Sequence, residues 1–361
     1  MRLTGHAYPW DVLGDPGFVA RTEGFETVAL ASAYHSVRAA TPAHPKHQLV
    51  TASYAALYRP VRPTAWQGRR LRPLAPTWMS TSDSWSAAAD VLRAAGRRVS
   101  AWVVLTHNTR LGTEFPDVAV VNCFGDRYPY ALCPSHEEVR AYAALLAAEA
   151  AAGADEVSLE ACGQLGLVHG SHHEKTDNAW TTSAQRWLSV CCCSACQKGW
   201  SARGLDPGWV LSTLREAVRA SAEVPFADEL LAARHEATDL LRAEVLAGLD
   251  VPVILHAHPD PWATGASPGL TPTAGPDVSG LVVPAWPTDS APVVASAVAA
   301  GRPVDAYVTV LQSEDGLVDH ARAVAKAGAT GLAIYHLGLA PSWRLPTITA
   351  VVKAARSVAT P

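Results

Sequence analysis

The chain has 361 residues, of which 49% are apolar and 17% charged, and its net charge is −4. That composition can bury a large core, which excludes wholesale disorder. The small negative balance, with no basic run, argues against a nucleic-acid partner and a polybasic membrane contact, and the most apolar helical stretch (141–153) is too short to span a bilayer and carries Glu149.

The opening MRLTGHAYPW lacks the basic and apolar regions of a secretion signal. Four of the seven cysteines lie within six positions, a crowding that suits reduced thiolates better than disulfides. Both features point to a cytoplasmic protein, and the abundance of Ala and Arg over Lys and Ile suggests a GC-rich bacterial source.

Short β-rich runs alternate with Ala-rich helical stretches, the signature of βα units on a parallel sheet. The predicted strands are Leu3–Ala7, Thr27–Ser32, Arg98–Thr106, Glu156–Glu160, Val251–His256, Gly280–Val283, Val304–Leu311 and Gly331–Tyr335, followed by a closing helix over Pro346–Ala359. Eight strands in this order predict an α/β fold, a (β/α)8 TIM barrel, over residues 1–361. The competing reading is a doubly wound open sheet, but no Gly-rich phosphate loop follows the first strand. Long insertions are expected after strand two (36–81, rich in Pro and Arg) and after strand four (161–225, with the His and Cys clusters). Function collects in such loops.

The strand ends are polar. Strand one carries His6, and strand two ends at Tyr34 and His35. Strand three runs into His107 and Asn108, strand four into Glu160, and strand five into His256 and His258. Trp286 follows strand six, Gln312 and Glu314 follow strand seven, and Tyr335 and His336 end strand eight. In a barrel all eight ends converge on one mouth, so these residues are candidates for gripping a substrate. The pleat puts Ser158 and Glu160 on one face. A carboxylate partly desolvated at that mouth is a candidate general acid, with a structural ion pair as the alternative.

Downstream, His169, His172, His173, Glu174 and Lys175 form a cluster that suits either a divalent metal or an array gripping hydroxyls. Cys191, Cys193 and Cys196 give the spacing C-x-C-x-x-C, three ligands of a tetrahedral zinc. Cys133, Cys123, Cys162, Cys192 or a nearby His could be the fourth, and buried unliganded thiols are the alternative. Twelve Trp, several near loops (Trp10, Trp78, Trp85, Trp180, Trp262 and Trp286), suit stacking on sugar rings as well as core packing.

The stretches YHSVRAATPAHP, TWMSTSDSW, SAWVVLTHNTRLG, NCFGDRYPYALCPSHEEVRAY, VSLEACGQLGLVHGSHHEK and LSVCCCSACQKGW resemble bacterial proteins described as glycoside hydrolases with a barrel fold. The likeness runs from about Tyr34 to Trp200. A more distant resemblance is to the family 42 β-galactosidases. It implies Glu160 as acid/base, a structural zinc on Cys191, Cys193 and Cys196, and Cys133 in LCPSHEEVR as its fourth ligand. This sequence departs from that family in having Leu159 where an Asn precedes the acid/base, and in a longer gap from Glu160 to the cysteines.

Together these readings predict a glycoside hydrolase acting on a small glycoside or oligosaccharide. Glu160 protonates the leaving oxygen, and Glu314 (the nearest carboxylate after strand seven) or Glu174 attacks the anomeric carbon or activates water. Two alternatives stand beside it. One is a metal-dependent lyase, isomerase or hydrolase using His107, His172, His173, His256, His258 and His336. The other is a sugar-binding barrel without catalysis. The sequence leaves the oligomeric state open.

Overall fold

The computed structural model describes residues 1–167, 175–176 and 178–358. Eight strands form the barrel: β1 (Arg2–Ala7), β2 (Thr27–Tyr34), β3 (Arg98–Val104), β4 (Glu156–Glu160), β5 (Val253–His256), β6 (Gly280–Pro284), β7 (Val304–Thr309) and β8 (Gly331–Tyr335). Each pairs in parallel with the next, and β8 pairs with β1, so the sheet closes. The predicted barrel is therefore the observed one, and the open sheet is excluded. Among the described residues no helix is long and apolar enough to cross a membrane.

Burial on both faces explains why the strands read as continuous apolar runs: every residue of β2 is buried. Outward side chains such as Leu3, Val99, Val157 and Leu332 join the large cluster beneath the helices. Ile254, Val282, Tyr307 and Ala333 form a separate small cluster.

At the N-terminal end Arg2 ties β1 to two other strands. Its Nε and Nη2 donate to Asp305 Oδ2 at 3.0 and 2.6 Å, and Nη1 donates to Glu156 Oε2 at 2.9 Å. A Cβ at position 331 would collide with the Asp305 carboxylate, so glycine is required there for the network to form.

The connections on the opposite side are long. After β2, an antiparallel pair (Val37–Ala40 with Leu49–Ala52) precedes the helix Ser84–Ala94. After β3 comes a second pair, Ala119–Val121 with Arg127–Leu132, which the sequence reading did not anticipate because its strands are short and Pro129 interrupts them. After β4, the helices Thr182–Leu188, Ser194–Ser201 and Pro207–Ala220 pack around Trp187, Trp200 and Leu214 as a small core of their own. The helix Ala227–Leu246 then leads into β5.

Candidate functional site

Glu160 closes β4 with its side chain buried, and its Oε2 accepts the Trp102 indole N–H at 2.8 Å. The parallel register sets Trp102 beside Ser158, two residues before Glu160, and this lets the long indole reach the carboxylate. Burial pushes the Glu160 carboxyl up to about 7, against the Trp102 hydrogen bond, which favours the charged form. Immediately after it, buried Ala161 holds φ at 53°, a left-handed conformation that L residues seldom adopt. Its N–H donates to Ala266 O at 2.8 Å, and Thr106 Oγ1 donates to its carbonyl at 2.8 Å. The turn that ends the strand is thus fixed from two sides, and the carboxylate with it.

Around Glu160 stand phenols. Burial first, and then charged neighbours including Glu160, raise Tyr34, Tyr307 and Tyr335. Tyr8, just past β1, approaches Tyr34 and Tyr335 without meeting hydrogen-bond geometry. Three imidazoles complete the cluster. His6 lies 4.7 Å from Trp102, 4.6 Å from Tyr307 and 6.0 Å from His256, ring centre to ring centre. Burial, then His256 and His336, hold it well below the ordinary histidine value. Burial takes His256 and His336 down to about 3.

These neutral rings keep unspent hydrogen-bonding atoms. His256 Nε2 meets Ser158 Oγ at 2.9 Å, but its Nδ1 has no partner among the described residues. His336 Nδ1 accepts the Gly338 N–H at 3.2 Å, while Nε2 has none. Neither His6 nitrogen meets hydrogen-bond geometry, although the Ile334 carbonyl lies close by. Buried polar atoms without partners are expensive, so a polar ligand that pairs with them is favoured here.

Asp11 was not anticipated. It sits in the helix Pro9–Gly14, where its carboxylate accepts the Tyr8 N–H at 2.8 Å and lies 3.8 Å from His336 Nδ1. Burial pushes it up to about 8, opposed by the Tyr8 N–H and Arg21. The detectable signal was an acidic residue at the third helical position, where it can reach back to the helix start. A Cβ at position 338 would strike this carboxylate, so the loop after β8 can close over Asp11 only with glycine there.

Several expected residues take other places. Glu314 is corrected: it is exposed on the loop after β7, and its Oε1 accepts from Thr347 Oγ1 at 2.6 Å. Among the described residues no second carboxylate contributes to the Glu160 shift. Gln312 is exposed and offers its carbonyl to Arg344. Asn108 caps the helix Thr109–Glu114 by accepting the Leu111 N–H at 3.0 Å, and its Nδ2 donates to Tyr142. His258 turns into a loop, where its Nδ1 accepts the Asp260 N–H at 3.0 Å. His35 and His107 pack together with ring centres 4.2 Å apart, His35 stacked on Tyr34. Trp286, 37% exposed, lies 5.0 Å from the Tyr335 ring and offers an open aromatic face. His169, His172, His173 and Glu174 lie outside the described residues.

These shifts set the pH dependence of stability. Glu160 and Asp11 bind protons more tightly folded than unfolded, so their contribution is lost as pH rises through about 7 and 8. His256 and His336 bind protons more weakly folded, so theirs is lost as pH falls below about 6.5 toward 3. Between about pH 4.5 and 6.5 the two sets oppose each other, so the melting temperature is expected to have a broad maximum there, falling on the acid side with the histidines and from about pH 6.5 to 8 with the carboxyls, at most about 1.4 kcal/mol per pH unit for each group. Scanning calorimetry across pH checks this, and Asp11→Asn should flatten the alkaline decline.

Cys133, Cys191, Cys193 and Cys196 converge, with all four Sγ atoms within 4.8 Å of one another. Cys133 Sγ lies 3.5 Å from Cys196 Sγ and 3.7 Å from Cys193 Sγ. Zinc–sulfur bonds of about 2.3 Å in a tetrahedron put sulfurs roughly 3.8 Å apart, so the donor set fits that ion. The backbone brings them together: Cys192 N–H donates to Val121 O, docking the cysteine loop onto the hairpin that leads to Cys133. Cys123 and Cys192 belong to the small core instead, and Cys162 is buried near Arg242. Among the described residues this is the one such group of potential metal ligands; His172 and His173, which the His-based reading also uses, lie outside them.

No protein-family model matches the sequence, and no curated protein does. Solved structures match the fold. The catalytic domain of β-amylase from Paenibacillus polymyxa is 11% identical with a TM-score of 0.57, over 100% of this chain and 99% of that one. α-L-Fucosidase isoenzyme 2 from Paenibacillus thiaminolyticus is 13% identical with a TM-score of 0.56, over 99% of this chain and 49% of that one. A catalytic mutant of Gan42B, a GH42 β-galactosidase from G. stearothermophilus, is 9% identical with a TM-score of 0.52, over 99% and 56%. The chain thus spans about half the length of the fucosidase. At these identities the likeness establishes a shared barrel fold.

Proposed function

We propose that this chain is a glycoside hydrolase acting on a small glycoside or oligosaccharide, with Glu160 as the general acid. One observation carries the reading: a buried carboxyl pushed up to about 7 at the end of β4, ringed by phenols and neutral imidazoles with unspent hydrogen-bonding atoms. A general acid works best with a pKa near the working pH, so that it is protonated yet willing to give up its proton. Hydroxyl-rich rings suit the surroundings, because neutral His and Tyr both donate and accept, and Trp286 and Tyr335 supply apolar faces. That the matched structures carry names such as β-amylase, α-L-fucosidase and β-galactosidase adds support. With Glu314 facing away, Glu174 is the partner we propose on sequence grounds, attacking the anomeric carbon or activating water.

The four cysteines, in this reading, hold one structural zinc. It cross-links the hairpin after β3 to the helices after β4 and takes no part in the chemistry.

The test is hydrolysis of a panel of aryl glycosides and oligosaccharides, followed across pH. kcat/KM should fall about tenfold per unit above pH ~7 as free Glu160 loses its proton. No turnover of any panel member, or an alkaline limb that survives Glu160→Gln, would refute the assignment.

A further inference from the structure

The insertion after β2 leaves a groove of about 440 Å³ against the first helix. That is within the range of small-ligand sites, about 300–1,000 Å³. Trp10 and Trp78 line it, with Leu49, His44, His47 and Thr51, and no Asp, Glu, Lys or Arg does. His44 Nδ1 accepts the backbone N–H groups of Lys46 and His47 at 3.0 and 2.9 Å, so its own proton sits on Nε2 and is left to donate.

The groove wall is joined to the Glu160 site by a run of buried, packed rings. Trp10 stacks on Tyr8 at 4.3 Å, Tyr8 lies nearly parallel to Trp102 at 6.0 Å, and Trp102 holds Glu160. Tyr58 closes on Trp10 from another side at 5.8 Å, so the platform is rigid. The part-exposed Trp78 beside hydroxyl and imidazole groups matches an uncharged pyranose, which is apolar on its faces and hydroxylated at its rim. A phosphate or uronate would meet no Lys or Arg among the described lining residues.

We propose that this groove is a distal sugar subsite, binding a neutral hexose unit of an oligosaccharide whose scissile bond lies at Glu160. The cleavage clause rests on the hydrolase reading; the binding clause does not.

The two are separated by affinity electrophoresis in gels containing β-glucan, galactan, galactomannan, xyloglucan, starch or, as the charged control, polygalacturonate. Glu160→Gln protein, which leaves the polymer intact, should be retarded by at least one neutral polysaccharide and not by polygalacturonate. Adding Trp78→Ala should weaken that binding about tenfold, the scale of a lost aromatic contact. Leu49→Glu, at a position 50% exposed and therefore tolerant of substitution, should weaken it as well, and it decides the matter if Trp78→Ala misfolds. Retardation by none of the neutral polymers, or retardation unchanged by the groove variants, overturns the subsite. Groove-dependent retardation by a polymer from which the unaltered protein releases no reducing sugar overturns the hydrolase reading and leaves the subsite standing.

Discussion

Glu160→Gln is expected to slow hydrolysis of natural glycosides by about 10² to 10⁴ while leaving the fold intact. The amide oxygen of Gln can still accept the Trp102 indole N–H that Glu160 accepts at 2.8 Å, so packing and position are retained. What is lost is the proton, and a sugar leaving group departs poorly without one. Aryl glycosides with acidic phenols need little protonation, and their bond-breaking step should suffer much less. If the enzyme is retaining, azide should partly restore turnover, because a small anion needs no base to attack the intermediate. Steady-state kinetics on both substrate classes reads all of this. Equal loss on both would reassign Glu160 to substrate binding, and full activity would remove it from the chemistry.

Denying the thiol cluster the zinc proposed for it should be the most damaging change to stability. Structural zinc in small Cys/His sites is worth roughly 10–16 kcal/mol at neutral pH, comparable to the whole stability of a domain, about 5–15 kcal/mol. We expect one zinc per chain by elemental analysis. Cys193→Ser should unfold at least the helices Thr182–Leu188, Ser194–Ser201 and Pro207–Ala220, seen as loss of amide-exchange protection there. Metal-free protein, purified without chelator and melting at the same temperature with or without added zinc, would overturn the assignment.

The barrel was legible because each strand is an apolar run bounded by turns, a signal that needs no tertiary information. β4 is observed over Glu156–Glu160, as predicted. Of the polar strand ends, His6, Tyr34, Glu160, His256, Tyr335 and His336 lie near one another, because closing the sheet brings those ends to one mouth. The misses have physical causes. β7 stops at Thr309, so the chain has already left the barrel by Glu314, and counting along the sequence overran the strand. Asn108 was read as a ligand because it follows a strand, but the helix after it needed a cap first. Trp102, Tyr8 and Tyr307 are not among the residues the sequence reading names, although alternation from His6 and Asp305 points inward to Tyr8 and Tyr307. Asp11 was hidden for a different reason. Its burial is supplied by a loop more than three hundred residues later, and no local pattern encodes that.

The Arg2 network makes the barrel a cup with a fastened base. Arg2, Glu156 and Asp305 join three strands across its floor, and the interior of such a barrel is a packed core rather than a pore. Whatever the mouth accepts must go out the way it came in. On the hydrolase reading proposed above, substrate and product would share one doorway, and a spent sugar lingering there would obstruct the next arrival. Product inhibition and turnover limited by release are the kinetic habits such a vessel imposes, and both would be governed by the aromatic rim at Trp286 and Tyr335 rather than by the acid below it.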